Sequence, residues 1–99
     1  MAAFSIVQVE PHDEKAMEEY VQASVPVIAQ YGGEIVAVDL DPEVAEGSWH
    51  GPITIVVQWP DRAAARRWYE SPEYQKAREI RLPAADTNVA LVESSAEAS

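Results

Sequence analysis

Of the seven basic residues in this 99-residue chain, Arg81 stands where chemistry is easiest to build. Along 73–82, Tyr74, Ala77 and Arg81 fall within about 60° of one another on a helical wheel, with Arg78 close by. An arginine sharing a face with an inward-packing aromatic needs an anionic partner or a route to water. It can be a guanidinium fork for a substrate carboxylate or enolate. It can equally be a structural salt bridge to Glu73, Asp86 or an acid of a partner chain, or a side chain snorkelling to the surface.

Trp49 and His50 come next. Imidazoles as a class titrate near neutrality, so a histidine beside a tryptophan suits a general base at the rim of an aromatic pocket. The plainer reading has Trp49 packed across one end of the fold or a dimer seam, with His50 solvated. His12 follows an apolar segment at a turn and reads as a surface residue. The two histidines have no helical metal-ligand spacing, so no metal site is expected. Asp39, Asp41 and Glu43 alternate like a calcium-loop fragment but lack that loop's glycine and closing glutamate. They read as a solvated acidic turn. Trp68 and Tyr74, with Tyr20 and Tyr31, belong to helix faces that meet a sheet. They are either ordinary core or the walls of a small-molecule pocket.

Nucleophile and cofactor motifs are absent: there is no G-x-S-x-G elbow, P-loop or dinucleotide fingerprint, and the four glycines stand at 32, 33, 47 and 51. No cofactor is expected. A haem would need a buried axial ligand, and His50 would have to provide it.

The elements that must position these residues are punctuated by proline, with its fixed φ and missing donor. Phe4 to Val9 is short and rich in β-branched residues, which suits a strand. Asp13 to Tyr31 reads as a helix capped by Asp13 and stopped by Gly32-Gly33, with Met17, Tyr20, Val21, Ser24, Ile28 and Tyr31 on one face. Pro26 should kink it, or break it at Ser24-Val25. Glu34–Leu40 and Ile53–Trp59 read as strands, the second central because it is the most apolar. The 41–52 connection between them is long, and long ordered loops are disproportionately functional. Asp61 caps a helix burying Ala64, Ala65 and Trp68. Ser71 and Pro72 start another that ends at Pro83. Thr87 to Glu93 is the last strand. Residues 1–93 thus form one domain, and the polar tail 94–99 is expected to be disordered.

The order βαββαβ predicts an α+β, ferredoxin-like antiparallel sheet with helices on one face. In the 34–40 and 53–59 strands, however, both alternating sets are substantially apolar. There are helices enough to cover only one face. A second copy packing sheet against sheet would cover the other, so a homodimer is expected.

Composition narrows the partners. Seventeen acids against seven bases give a formal charge of −10, which argues against nucleic acid and against an anionic membrane surface. With no cysteine, disulfides and thiolate catalysis are excluded. No apolar run approaches a membrane span, and the first residues do not read as a signal peptide. A cytoplasmic protein is expected. The charge is also lopsided: residues 1–60 hold ten acids and one base, whereas 61–99 hold seven acids and six bases.

Several stretches together resemble a known family. They are Gly32-Gly33-Glu34, Glu46-Gly47-Ser48-Trp49, Val56-Val57-Gln58-Trp59-Pro60, Ala64-Ala65 and above all Trp68-Tyr69-Glu70-Ser71-Pro72-Glu73-Tyr74. With Ile80-Arg81, Ala84-Ala85-Asp86 and Val92-Glu93 they are similar to the domain-of-unknown-function-1330 family, from about Phe4 to Glu93. The resemblance implies a dimeric α+β barrel, in which the sheets of two protomers close on each other. It implies no activity. The chain departs from the family where arginine is common, at Glu34, Val38 and Ile53, and where an acid is common, at Ser48 and Gln58. At those positions either the ligand is less charged or the site is lost.

Two functions are consistent with this sequence. One is a cofactor-independent enzyme acting on a small aromatic or enolisable carboxylate metabolite. Arg81 would orient the anion, His50 would move a proton, and Trp49, Trp68 and Tyr74 would form walls. The other is a non-catalytic small-molecule-binding or assembly module on the same fold. A cavity reached by both Arg81 and His50 favours the first.

Overall fold

The computed structural model describes residues 2–94. Seven elements follow in the expected order: β1 (Ala3–Pro11), α1 (Glu14–Gln30), β2 (Glu34–Asp39), β3 (Ile53–Trp59), α2 (Arg62–Glu70), α3 (Pro72–Arg81) and β4 (Ala85–Glu93). Local chemistry starts each helix where expected. Asp13 Oδ1 accepts the Ala16 N–H at 3.1 Å, and Asp61 Oδ1 accepts the Ala64 N–H at 2.8 Å. Ser71 Oγ accepts the Tyr74 N–H at 3.1 Å while donating to the Trp68 carbonyl at 2.7 Å, so one hydroxyl closes α2 and opens α3. Each such cap contributes about 1 kcal/mol.

The sheet is antiparallel throughout, in the order β2-β3-β1-β4, with the three helices on one face. The fold is α+β and ferredoxin-like. Alternation is clean in β1, where Ala3, Ser5, Val7 and Val9 are buried beneath the helices. Trp59, Trp68 and Tyr74 form the centre of the core. Rings of this size contribute about 4–6 kcal/mol each as an upper bound. Trp59 Nε1 donates to Ser5 Oγ at 3.1 Å, satisfying the one polar atom of that ring. Gly33 lets the start of β2 pass over the indole: a Cβ there would lie 2.7 Å from the Trp59 ring.

Four local expectations are corrected. α1 runs without a break through Pro26. Met17 and Tyr20 before the proline and Val27 and Ile28 after it are buried in one core. That anchoring outweighs a proline cost of about 3 kcal/mol. The buried face of α1 is also rotated: Val27 is inside, Val21 is exposed and Tyr31 is half-buried. Val21 instead borders an apolar hollow beneath α1, together with Ile35 and Val38. β2 does not alternate simply, because its register with β3 shifts between Ile35 and Ala37. Ile35 and Val38 therefore both share the helix side with Val57 and Ile55. Finally, β4 begins at Ala85, because Glu10 and Pro11 extend β1 far enough to pair with Asp86 and Ala85.

The opposite face carries no helix. Across its middle run Ala90, Ile6, Val56 and Ala37, flanked by Val92 and Phe4 on one side and by Gln8, Thr54 and Asp39 on the other. Among the described residues no helix is long and apolar enough to cross a membrane. The Ser94 N–H donates to the Ala2 carbonyl at 2.9 Å, so the first residue of the expected tail is tied to the sheet. Residues 95–99 of that tail lie outside the described residues.

Candidate functional site

Arg81 sits in the last turn of α3, where steps of three and then four residues from Tyr74 through Ala77 aim it inward, and it is only 3% exposed. Its partners inside the chain are weak. Nη2 donates to the Tyr74 hydroxyl at 3.5 Å, the long limit of a hydrogen bond, and Cζ lies 5.5 Å from the centroid of the Tyr20 ring. The Tyr20 and Tyr74 hydroxyls are 2.9 Å apart. Burial, reinforced by Tyr74, pushes the Tyr20 phenol well above its ordinary range and keeps it neutral.

The acids that could have neutralised Arg81 are engaged elsewhere. Glu73 accepts from the Tyr31 hydroxyl at 2.9 Å and from Gln30 Nε2 at 3.2 Å. Its carboxyl is held below its ordinary value by its own backbone N–H at the start of α3 and then by Tyr31. Asp86 Oδ2 lies 3.0 Å from His12 Nε2, in hydrogen-bond contact. Arg81 is a buried guanidinium with no carboxylate beside it.

It borders an open-sided cavity of about 470 Å³ between the end of α3 and the start of β4. Tyr69, Arg78, Asp86, Thr87 and His50 share its lining. Three buried polar atoms there find no partner in the protein: Arg81 Nε, Arg78 Nε and Thr87 Oγ1. Buried donors are rarely left so, and each costs about 1–3 kcal/mol unless something else satisfies it.

The loop preceding β3 delivers His50 to this cavity. Gly51 makes that possible: its φ is +66°, and a Cβ on it would lie 2.5 Å from the Val9 carbonyl oxygen. The chain can therefore press onto the β1 backbone only with glycine at this position. His50 Nε2 lies 3.1 Å from the Asp86 carbonyl oxygen. A carbonyl only accepts, so Nε2 carries the hydrogen, and the tautomer with one ring proton has its lone pair on Nδ1.

The other expected site residues are placed apart. Trp49, next to His50, faces the other way: its Nε1 donates to Thr54 Oγ1 at 2.9 Å on the helix-free side of the sheet. Trp68 is buried among Trp59, Tyr69 and Tyr74, its ring 4.4 Å from that of Tyr74. It borders a separate apolar hollow of about 120 Å³ under α1, with Val21, Ile35, Val38 and Ile55. Tyr74 is fully buried and backs Arg81 through its hydroxyl. So Arg81 and His50 meet in one cavity, Tyr74 stands behind it, and Trp49 and Trp68 lie elsewhere. Arg78, noted only as a neighbour of Arg81, is a full member of the lining. Thr87 and Tyr69 gave no signal in the sequence. Among the described residues no group of three or more His, Asp or Glu could hold a metal ion.

Comparison with known families matches residues 2–95 to "Domain of unknown function (DUF1330)". The chain belongs to this family. A search of curated proteins finds no match. Among solved structures it is similar to a protein of unknown function from Rhodopseudomonas palustris, at TM-score 0.75 and 20% identity over 94% of this chain and 82% of that one. It is also similar to a dimeric ferredoxin-like protein of unknown function from Jannaschia sp. CCS1 (TM-score 0.69, 17% identity, 95% and 100% covered). A third likeness is to SnoaB, a cofactor-independent oxygenase from Streptomyces nogalater (TM-score 0.67, 14% identity, 96% and 94% covered). At these identities the likeness establishes the family's fold: a ferredoxin-like α+β protomer of a kind found in dimers.

Proposed function

We propose that this DUF1330 protein is a homodimeric, cofactor-independent enzyme acting on a small enolisable carboxylate, with its site at Arg81 and His50. The observation that carries this reading is the buried, acid-free Arg81 guanidinium in a cavity that His50 also reaches. A carboxylate placed there supplies the charge the guanidinium lacks and accepts from its fork. His50, with Nδ1 bare, can take a proton from the carbon next to the substrate carbonyl. The C–H electron pair then moves into the enolate and the proton rests on Nδ1. Of the two substrate classes the sequence allows, the carboxylate is favoured, because Trp49 and Trp68 do not wall this cavity. SnoaB supports cofactor-free chemistry on this fold by analogy only. The helix-free sheet face, with Ile6 and Val56 at its centre, is where a second copy would pack, as the dimeric relatives suggest.

The test is hydrogen–deuterium exchange of 2-oxo acids in D2O, followed by NMR. Wild-type protein should speed exchange at the carbon next to the carbonyl. His50→Gln should abolish this while the ligand still binds, and Arg81→Gln should lose both. Binding without exchange in the wild type would instead identify a non-catalytic binding module.

A further inference from the structure

We infer that the cavity takes a compact molecule with two oxyanionic groups, held by two separate receptors: Arg81, and the Arg78–Thr87 pair. The inference rests on the reading of Arg81 as a carboxylate anchor, and goes on to specify the rest of the ligand. Three residues separate Arg78 from Arg81 on α3, which puts their Cβ atoms ~5–6 Å apart on one helix face. Thr87 enters from β4, on the side of the sheet that faces the helices, opposite Val9. Arg78 Nε, Arg81 Nε and Thr87 Oγ1 are all buried, lack a protein partner and belong to residues that line the same cavity.

One carboxylate on Arg81 would leave Arg78 Nε and the Thr87 hydroxyl without a partner. The charge count agrees. The one acid lining the cavity, Asp86, gives its carboxylate to His12 and its backbone carbonyl to His50. Two guanidinium groups therefore face the cavity without a carboxylate of their own, in a chain whose formal charge is −10. A second oxyanion accepts from Arg78 Nε and from the Thr87 hydroxyl, two donors of different geometry that together set where it lies. The separation of the two arginines suits carboxylates joined by one to three carbons. In an enolisable substrate the second group is a carboxylate, or the enolate oxygen that develops as the proton leaves.

Calorimetric titration of the full-length protein with malonate, succinate and glutarate, against propionate and inorganic phosphate, tests this. At least one dicarboxylate should bind tenfold or more tightly than propionate. Arg78→Gln and, separately, Thr87→Val should reduce that dicarboxylate to the affinity of propionate while leaving propionate itself unchanged. Arg81→Gln should weaken both. Thr87→Val keeps the side chain's shape, so it remains informative if Arg78→Gln folds poorly. Equal binding of propionate and the dicarboxylates overturns the second receptor and leaves the Arg81 anchor standing. Binding of phosphate alone overturns the two-group ligand in favour of a single compact anion. No binding of any probe overturns both readings.

Discussion

Replacing Arg81 by methionine separates a ligand-holding arginine from a structural one, because the two roles move stability in opposite directions. Inside the chain Arg81 keeps one hydroxyl at 3.5 Å and one ring face at 5.5 Å, together worth roughly 1–2 kcal/mol. Against that stands a buried guanidinium whose Nε has no partner, a cost of about 1–3 kcal/mol. Exchanging buried charge for a well-packed apolar side chain is commonly neutral, or stabilising by about 1–4 kcal/mol. Arg81→Met should therefore leave the unliganded protein as stable as before, or more stable by up to about 2 kcal/mol. For a domain of this size that is a Tm unchanged, or raised by up to roughly 8–16 °C. A carboxylate ligand present at about 100 times its Kd should stabilise the wild type by about 2.7 kcal/mol and do nothing for the variant. Thermal melts by circular dichroism, with and without ligand, read both effects. A fall in Tm of about 12 °C or more without ligand would refute the reasoning. That is the loss of about 3 kcal/mol or more expected when one partner of a buried ion pair is removed, and it would point to an acid supplied by a partner chain.

Three further outcomes are expected. Gly51→Ala should cost about 1–3 kcal/mol, since it puts a Cβ against the Val9 carbonyl at a positive φ. It should also lower exchange activity by moving His50, read by a melt and the NMR assay together. The Glu73 carboxyl is held below its unfolded value, so its stabilisation is present above the ordinary carboxylate range and is lost as pH falls through the lowered folded value. Glu73→Gln should therefore flatten the acid limb of Tm against pH, lowering Tm near neutrality and changing little at low pH. Val56→Asp, at the centre of the helix-free sheet face, should turn a dimer into a folded monomer, seen as halved mass in light scattering with an unchanged circular dichroism spectrum.

What the sequence could reveal about this site depended on how local the cause was. Asp13, Asp61 and Ser71 cap helices through contacts three residues away, and their types alone locate the helix starts. Arg81 was readable because helical periodicity ties it to Tyr74. Thr87 was not: a threonine in a strand has ordinary propensity, and its orphaned hydroxyl exists only because β4 meets the end of α3. The exposure of Val21 depends on how far α1 is offset from β2, a property of layer packing that no single periodicity encodes. The shift at Val36 is equally hidden, because apolar residues stand on both sides of it. Loop 41–52 has no periodicity at all, and the sequence therefore grouped Trp49 with the pocket walls when only its neighbour faces the cavity.

That parting of Trp49 and His50 has a thermodynamic consequence. One side chain is hydrogen-bonded on the helix-free side of the sheet, and the next, one peptide unit away, is hydrogen-bonded at the mouth of the cavity. If a second copy covers the helix-free side, any preference it has for one setting of Trp49 is also a preference for one setting of His50. Assembly and ligand occupancy are then linked functions: whatever factor dimerisation applies to ligand affinity, the ligand returns to dimerisation.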